Sequence, residues 1–312
     1  MEMEQLAFAV RKSWGLDTAF PMGQGAERVG VPAAGQCAVT AAVVQDYMGG
    51  SILKGDADGV TRHYWNIIEG KEIDLTRGQF REGVNIVGVR EANREKMFQD
   101  ENFRTRYGLL SQCVAAFLTQ YQEIEKLISR CALCADAVER FSGSSIHFGQ
   151  RDDILLIGEA PAKNGWRISG KVWRDAHGNM IASGRRLQKL LSLCGLELLD
   201  CPFTEAVKCY PTSRNCLRDA TRRCFSILEA QLTLLSPKIV IPLGKAPTET
   251  LLADKAPFAA LVGKTHMLRV NGQTIAVFPI YHPSPASPLS WKGNVELMPR
   301  LVSLIQGGGH YV

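Results

Sequence analysis

The stretch Asp153-Ile154-Leu155-Leu156-Ile157-Gly158-Glu159-Ala160-Pro161 decides the fold. Residues 154–157 are four apolar side chains in a row, the pattern of a parallel-sheet strand buried on both faces. The run stops at a glycine, a glutamate follows, and Pro161 has no N–H to continue a ladder. Open α/β sheets bind ligands beyond the carboxyl ends of their strands, so Glu159 stands where a ligand would sit.

The sequence downstream keeps alternating. Residues 184–193 and 217–235 read as helices, and residues 203–207, 238–241 and 274–281 read as strands. This predicts a three-layer α/β/α domain over residues 151–312 with a mainly parallel four-stranded sheet. Strand ends of one parallel sheet open on the same rim. They deliver Glu159, then Glu205 with Lys208 and Cys209, and finally His282 in the run His282-Pro283-Ser284-Pro285.

Charge divides the same way. Residues 1–150 carry a balance of −3 and residues 151–312 a balance of +8, within a net charge of +5. Only the C-terminal half is therefore expected to meet a polyanion. No run reaches the roughly 18 apolar residues a membrane span needs, and the first residues lack a secretory pattern. The expectation is a cytoplasmic chain with reduced thiols. Its nine cysteines then suggest metal binding or catalysis before disulfides.

The first half reads as an α+β domain. A short helix is expected over residues 4–13, and a buried helix after Cys37, which lies in its first turn. A helix N-terminus favours the thiolate. Strand-like pieces at residues 62–66 and 72–75 are joined by Glu69-Gly70-Lys71, a hairpin signal. If position 63 lies opposite 76, His63 and Asp74 share a face. Cys37, His63 and Asp74 could then form a thiolate–imidazole–carboxylate triad, the alternative being a buried inert cysteine. Residues 109–128 read as a connecting helix, followed by Cys131-Ala132-Leu133-Cys134. Alone, that motif leaves zinc, an iron–sulfur cluster and a redox pair all open.

The phrases GQCAVTAAVVQDYMGG, RHYWN and EIDLTRGQF make residues 1–107 resemble the YunG-like family, and the Cys/His/Asp order resembles papain- and transglutaminase-type folds by analogy. Residues 129–300 resemble the uracil-DNA glycosylase superfamily, nearest its iron–sulfur family 4 branch. The matching pieces are GEAPA (158–162), GKVW (170–173), SGRRLQKLL (183–191), VKC (207–209), RRC (222–224), SPKIVIPLG (236–244) and YHPSP (281–285). Residues 108–150 would then be a connecting helix with the first two cluster cysteines.

The second resemblance implies roles. Cys131, Cys134, Cys209 and Cys224 take the positions of four ligands to a [4Fe–4S] cluster, with zinc as the alternative and Cys216 as a bystander. Glu159 takes the place of the catalytic acidic residue, which would orient a water and stabilise positive charge on the sugar, and His282 that of the histidine binding pyrimidine O2. Gly158, Ala160, Pro161, Trp173, Glu205 and Ser284 would contact the substrate, with Trp173 stacking on a flipped base. Lys163, Arg167, Lys171, Arg185, Arg186 and Lys245 would meet DNA phosphates, with Lys292 downstream.

Three departures shape the expected substrate. Glu205 replaces the asparagine that reads the base; an ionised glutamate only accepts, which suits the exocyclic amine of a cytosine-type base. Residues 174–182 look like an insertion turning at His177-Gly178-Asn179. Ala286 replaces a leucine wedge, leaving Leu289 or another residue to take that part. The expectation is a monofunctional DNA glycosylase acting on a modified cytosine, as in phage-type DNA, with an anti-phage role. Uracil repair is the alternative. A Cys37-dependent thiol hydrolase or transferase with a DNA-binding C-terminal module is the alternative of another class. A third expectation for residues 1–107 is recruitment of a protein partner.

Overall fold

The computed structural model describes residues 2–21, 30–58, 61–134, 138–139, 143–162, 165–253 and 256–307. The chain divides into two compact units, Met1–Thr119 and Gln120–Val312. The division falls inside a long helix, and residues 120–150 group with the C-terminal unit.

The N-terminal unit opens with α1 (Met3–Lys12) and α2 (Cys37–Met48). Four strands follow: β1 (Ser51–Ala57), β2 (Thr61–Ile68), β3 (Lys71–Ile73) and β4 (Ile86–Glu91). They form an antiparallel sheet in the order β3-β2-β1-β4. Glu69 and Gly70 both have positive φ (50° and 76°), the two-residue turn whose twist suits a hairpin. The β2–β3 ladder pairs Asn66 with Ile73; continued beyond its end, that register sets position 63 opposite 76. Val39 to Val44 of α2 are all buried, and Asn66 Nδ2 donates to Ala41 O at 2.9 Å, pinning α2 to β2. The sequence pattern missed β1 and β4. Lys54, Gly55 and Asp56 break the alternation in β1, and β4 is almost wholly exposed, so neither carries a period-two signal. Gly55 is required where β4 approaches: a Cβ there would meet Ile86 Cγ2 at 2.5 Å. The unit closes with α3 (Arg94–Met97) and the start of α4 (Glu101–Arg130).

The C-terminal unit adds the two-residue β5 (Val138–Glu139), then β6 (Ile154–Gly158), α5 (Trp166–Ser169), α6 (Ala182–Ser192) and β7 (Phe203–Glu205). Next come β8 (Tyr210–Pro211), which pairs with β5, then α7 (Leu217–Leu235), β9 (Ile239–Pro242), α8 (Lys245–Leu252) and α9 (Phe258–Leu261). The chain ends with β10 (His266–Val270), β11 (Gln273–Val277) and α10 (Lys292–Gln306). The main sheet runs β10-β11-β9-β6-β7. Its β11, β9, β6 and β7 are mutually parallel, and β10 joins as an antiparallel edge. The sheet therefore has five strands where four were expected. The fifth arises from the Asn271-Gly272 turn, whose φ values of 45° and 82° close a hairpin.

The core is the middle of this sheet. Ile154 and Leu156 of β6 pack with Leu187, Leu190 and Leu191 of α6 and with Leu301 and Leu304 of α10. Beyond the strands the backbone stays paired: Ala206 N donates to Gly158 O (2.9 Å), Leu243 N to Ile157 O (2.8 Å) and Ile280 N to Pro242 O (3.2 Å). The residues that follow each strand are thereby brought to one rim. Among the described residues no helix is long and apolar enough to cross a membrane.

Candidate active site

At that rim lies a cleft of about 400 Å³. Gly158, Glu159, Ala160 and Pro161 line it from the end of β6, Glu205 from β7, Leu243 from beyond β9, and His282 and Pro283 from beyond β11. Glu159 and His282, distant in sequence, thus border one cavity. Trp166, Trp173, Phe203 and Tyr210 supply its aromatic walls. Of these only Trp173 was singled out from the sequence; Trp166, eight residues after Gly158 in the loop leaving the first strand, was the available signal.

Glu205 is buried and held at both oxygens. The Trp166 indole N–H donates to Oε1 at 2.7 Å, and Arg167 Nη2 donates to Oε2 at 3.3 Å. The Arg167 side chain is 1% exposed, and its guanidinium lies over the Trp166 ring at 4.9 Å. Arg167 is therefore not a surface phosphate contact; it is the counter-charge that allows a carboxylate to be buried.

Below the cleft Lys208, only 2% exposed, turns inward. Its ammonium donates to Thr204 Oγ1 at 3.0 Å, to the Glu205 carbonyl and to Gln231 Oε1. Burial pushes its pKa down to about 7, against the opposing pull of Glu205. Gln231 Nε2 donates onward to Ser145 Oγ at 2.7 Å. This network fixes the end of β7 and hence the Glu205 backbone.

His282 is oriented from within its own loop. The Ser284 N–H donates to His282 Nδ1 at 3.1 Å, which leaves the ring proton of a neutral imidazole on Nε2. Ser284 Oγ accepts from Ala286 N at 3.3 Å, so Ser284 shapes the loop and does not line the cleft. Trp173 is buried with φ +60° and packs against Phe203 with centroids 4.5 Å apart. The segment 174–182 is a tight turn: Asp175 Oδ1 accepts from the backbone N–H of His177 and of Asn179, each at 2.9 Å, and Ile181 reaches the cleft wall.

A second concavity, about 330 Å³, is lined by Ala182, Arg185, Arg186, Lys189, Pro285 and Trp291. Arg186 donates to Ser290 Oγ and Arg185 to the Met180 carbonyl. Lys189, one turn along the same helix, was not anticipated. Lys171 is exposed, Lys245 pairs with Glu249 at 3.7 Å, and Lys163 lies outside the described residues. Trp291, which lines this concavity, and Leu289 are exposed.

Cys131, Cys134, Cys209 and Cys224 line one small cavity with Leu133, Val138, Val207 and Arg223. Burial raises the Cys224 thiol, as do the neighbouring Cys134 and Cys131 sulfurs. Arg223 Nη1 stands 3.8 Å from Cys134 Sγ. Cys216 turns elsewhere, donating to Ser213 O at 2.8 Å. Among the described residues no three His, Cys, Asp or Glu side chains are gathered as ligands of a single ion.

In the N-terminal unit His63 Nε2 and Asp74 Oδ2 are 2.7 Å apart, and the Cys37 thiol is within hydrogen-bonding reach of the same ring.

Residues 2–119 match the family model described as YunG protein, and residues 146–297 match that of the uracil DNA glycosylase superfamily. The chain is 29% identical over 139 residues to the type-4 uracil-DNA glycosylase of Sulfurisphaera tokodaii, covering 43% of this chain and 60% of that protein. It is 27% identical over 158 residues to the type-5 uracil-DNA glycosylase of Pyrobaculum aerophilum, covering 46% and 67%. It is 32% identical over 100 residues to YunG of Bacillus subtilis, covering 32% and 81%. The chain thus spans less than two thirds of the type-4 relative's length.

Proposed function

We propose, for a chain that belongs to the uracil DNA glycosylase superfamily through residues 146–297 and to the YunG family through residues 2–119, that its C-terminal unit is a monofunctional DNA glycosylase. One observation carries the proposal: Glu159 and His282 border the same aromatic-walled cleft at the strand ends of a parallel sheet. A nucleotide flipped from DNA places its base against Trp166, Trp173 and Phe203. Glu159 orients water at the sugar and stabilises the positive charge that develops there as the N-glycosidic bond lengthens. His282 presents Nε2–H to the base O2 and stabilises the charge left on the departing base. Lys208 does not act as a nucleophile, because its ammonium is sequestered by three acceptors and does not line the cleft. The basic groove of Arg185, Arg186 and Lys189 receives the phosphates, and Leu289 or Trp291 fills the gap in the duplex.

The base is a cytosine type. With Arg167 as its partner Glu205 is a carboxylate acceptor, matched to an exocyclic amine and mismatched to the O4 of uracil. The turn over residues 174–182, whose Ile181 lines the cleft, supports a base carrying a substituent, as in modified phage DNA. The names of the glycosylase relatives favour uracil as the second reading.

Cys131, Cys134, Cys209 and Cys224 would hold a [4Fe–4S] cluster. A set of four thiols lining one cavity suits such a cluster, with zinc as the second reading. Such a cluster would tie the end of α4, the segment after β7 and helix α7 together; no catalytic step involves it.

The test incubates purified full-length protein with oligonucleotides containing uracil, cytosine or 5-substituted cytosine and measures alkali-labile abasic sites. Abasic sites are expected with substituted cytosine and are lost in Glu159→Gln. If no substrate yields them, the proposal fails.

A further inference from the structure

Three groups in the N-terminal unit meet without any part in base excision. His63 lies on β2 with a fully buried side chain. Its Nε2 is 2.7 Å from Asp74 Oδ2, just past β3. Asp74 is itself fixed, since Oδ1 accepts from Thr76 N at 3.0 Å and from Thr76 Oγ1 at 3.1 Å. On the other side of the site, Cys37 opens α2 and its part-exposed thiol reaches the His63 ring. The bond from Asn66 to Ala41 holds the helix of the cysteine against the strand of the histidine. Trp65 stacks on the imidazole at 5.5 Å, Phe80 meets it edge-on at 4.8 Å, and the Gln79 amide stands 3.1 Å from Nδ1.

An inert buried cysteine needs none of this. A carboxylate–imidazole pair with both carboxylate oxygens engaged costs ordering and desolvation, and the same imidazole hydrogen-bonds the thiol that starts a 12-residue helix. Burial alone would lower the His63 pKa; Asp74 and Cys37 overcome that and raise it to about 9. The charged groups around the sulfur are the His63–Asp74 pair and the buried Arg106 guanidinium of α4, with Tyr64 alongside. The first-turn N–H groups of α2 have no carbonyl four residues back in the helix, so they are available to an oxyanion.

We propose that Cys37, His63 and Asp74 form a second catalytic site, a thiol acyl-transfer centre that cleaves an amide or ester. The Cys37 sulfur bonds the acyl carbon while the bond from that carbon to nitrogen or oxygen breaks. His63 gives its proton to the leaving amine or alcohol. Water then passes a proton to His63 as its oxygen bonds the acyl carbon, and the C–S bond breaks. The products are a carboxylic acid and the regenerated cysteine–histidine pair, with no net redox change.

The probe is p-nitrophenyl acetate with the full-length chain. The expected result is a burst of about one equivalent of p-nitrophenol and an acetyl group on Cys37 by peptide mass spectrometry. The burst is absent in Cys37→Ser and at least tenfold slower in Asp74→Asn. In parallel, iodoacetamide at neutral pH should alkylate Cys37 faster than the exposed Cys113, and His63→Ala should abolish that advantage. Circular dichroism confirms folding of each variant. Acetylation no faster at Cys37 than at Cys113, or unaffected by Asp74→Asn in a folded protein, overturns the proposal.

Discussion

Gly244 lies directly beneath His282: a Cβ built on the glycine would stand 2.9 Å from His282 Cβ, and the glycine holds φ at +99°. No L side chain is comfortable at that φ, and none fits under the imidazole. Gly244→Ala should therefore cost about 1–3 kcal/mol of stability and, by displacing His282, reduce excision about 10²-fold. His282→Ala should lose about 10²–10³-fold. Single-turnover rates of both variants and the double check the link. If both act through one imidazole, the double is no slower than His282→Ala alone.

The Arg167–Glu205 pair sets a second expectation. Arg167→Met strands a buried carboxylate and should destabilise the fold by about 3–5 kcal/mol, measured by urea unfolding. Glu205→Gln keeps an acceptor and adds a donor for a pyrimidine O4. The ratio of excision rates for uracil over cytosine-type bases should rise at least tenfold. A ratio unchanged by Glu205→Gln would remove Glu205 from base reading.

Phosphate binding separates the cations by exposure. Arg185→Ala, Arg186→Ala and Lys189→Ala line one groove and should each lower the slope of log K against log salt by about 1. DNA titrations at several salt concentrations measure it. Lys245, opposite Glu249, should change the slope less.

Four thiols round one cavity should yield about four iron and four sulfide per chain on anaerobic purification. Cys224→Ser should abolish the visible charge-transfer absorption and lower the melting temperature. Cys216→Ser and Cys113→Ser should leave both intact. Stoichiometric zinc without sulfide would replace the cluster with a zinc site.

For His63 the folded pKa of about 9 lies above its ordinary value of 6.5. Its stabilising contribution is therefore fully present below pH 6.5 and is lost as pH rises through about 9. The shift corresponds to about 3 kcal/mol as an order of magnitude. Thermal melts of full-length protein from pH 6 to 10 should show this loss, and Asp74→Asn should flatten it.

Much of this is legible in the sequence. The apolar run 154–157 and the turn at Gly158 identify a buried parallel strand, because only such a strand tolerates apolar residues on both faces. Helix α7 matches its expected limits of 217–235, because its apolar residues recur at the helical period and its buried face follows them. The edge strands were not legible in the same way. The exposed β4 carries no burial period, and β10 needed the Asn271-Gly272 turn to be weighed above its mixed composition.

The sequence by itself determined two family likenesses, the order of the strands' terminal residues and the cysteine spacing, because these are local patterns of residue type. Only the tertiary structure decided that Arg167 is buried as the partner of Glu205 and not spread on DNA, that Trp166 grips the same carboxylate, and that Gly244 makes room for His282. Burial and pairing are properties of space, and a charged residue reads the same in a sequence whether water or another side chain answers it.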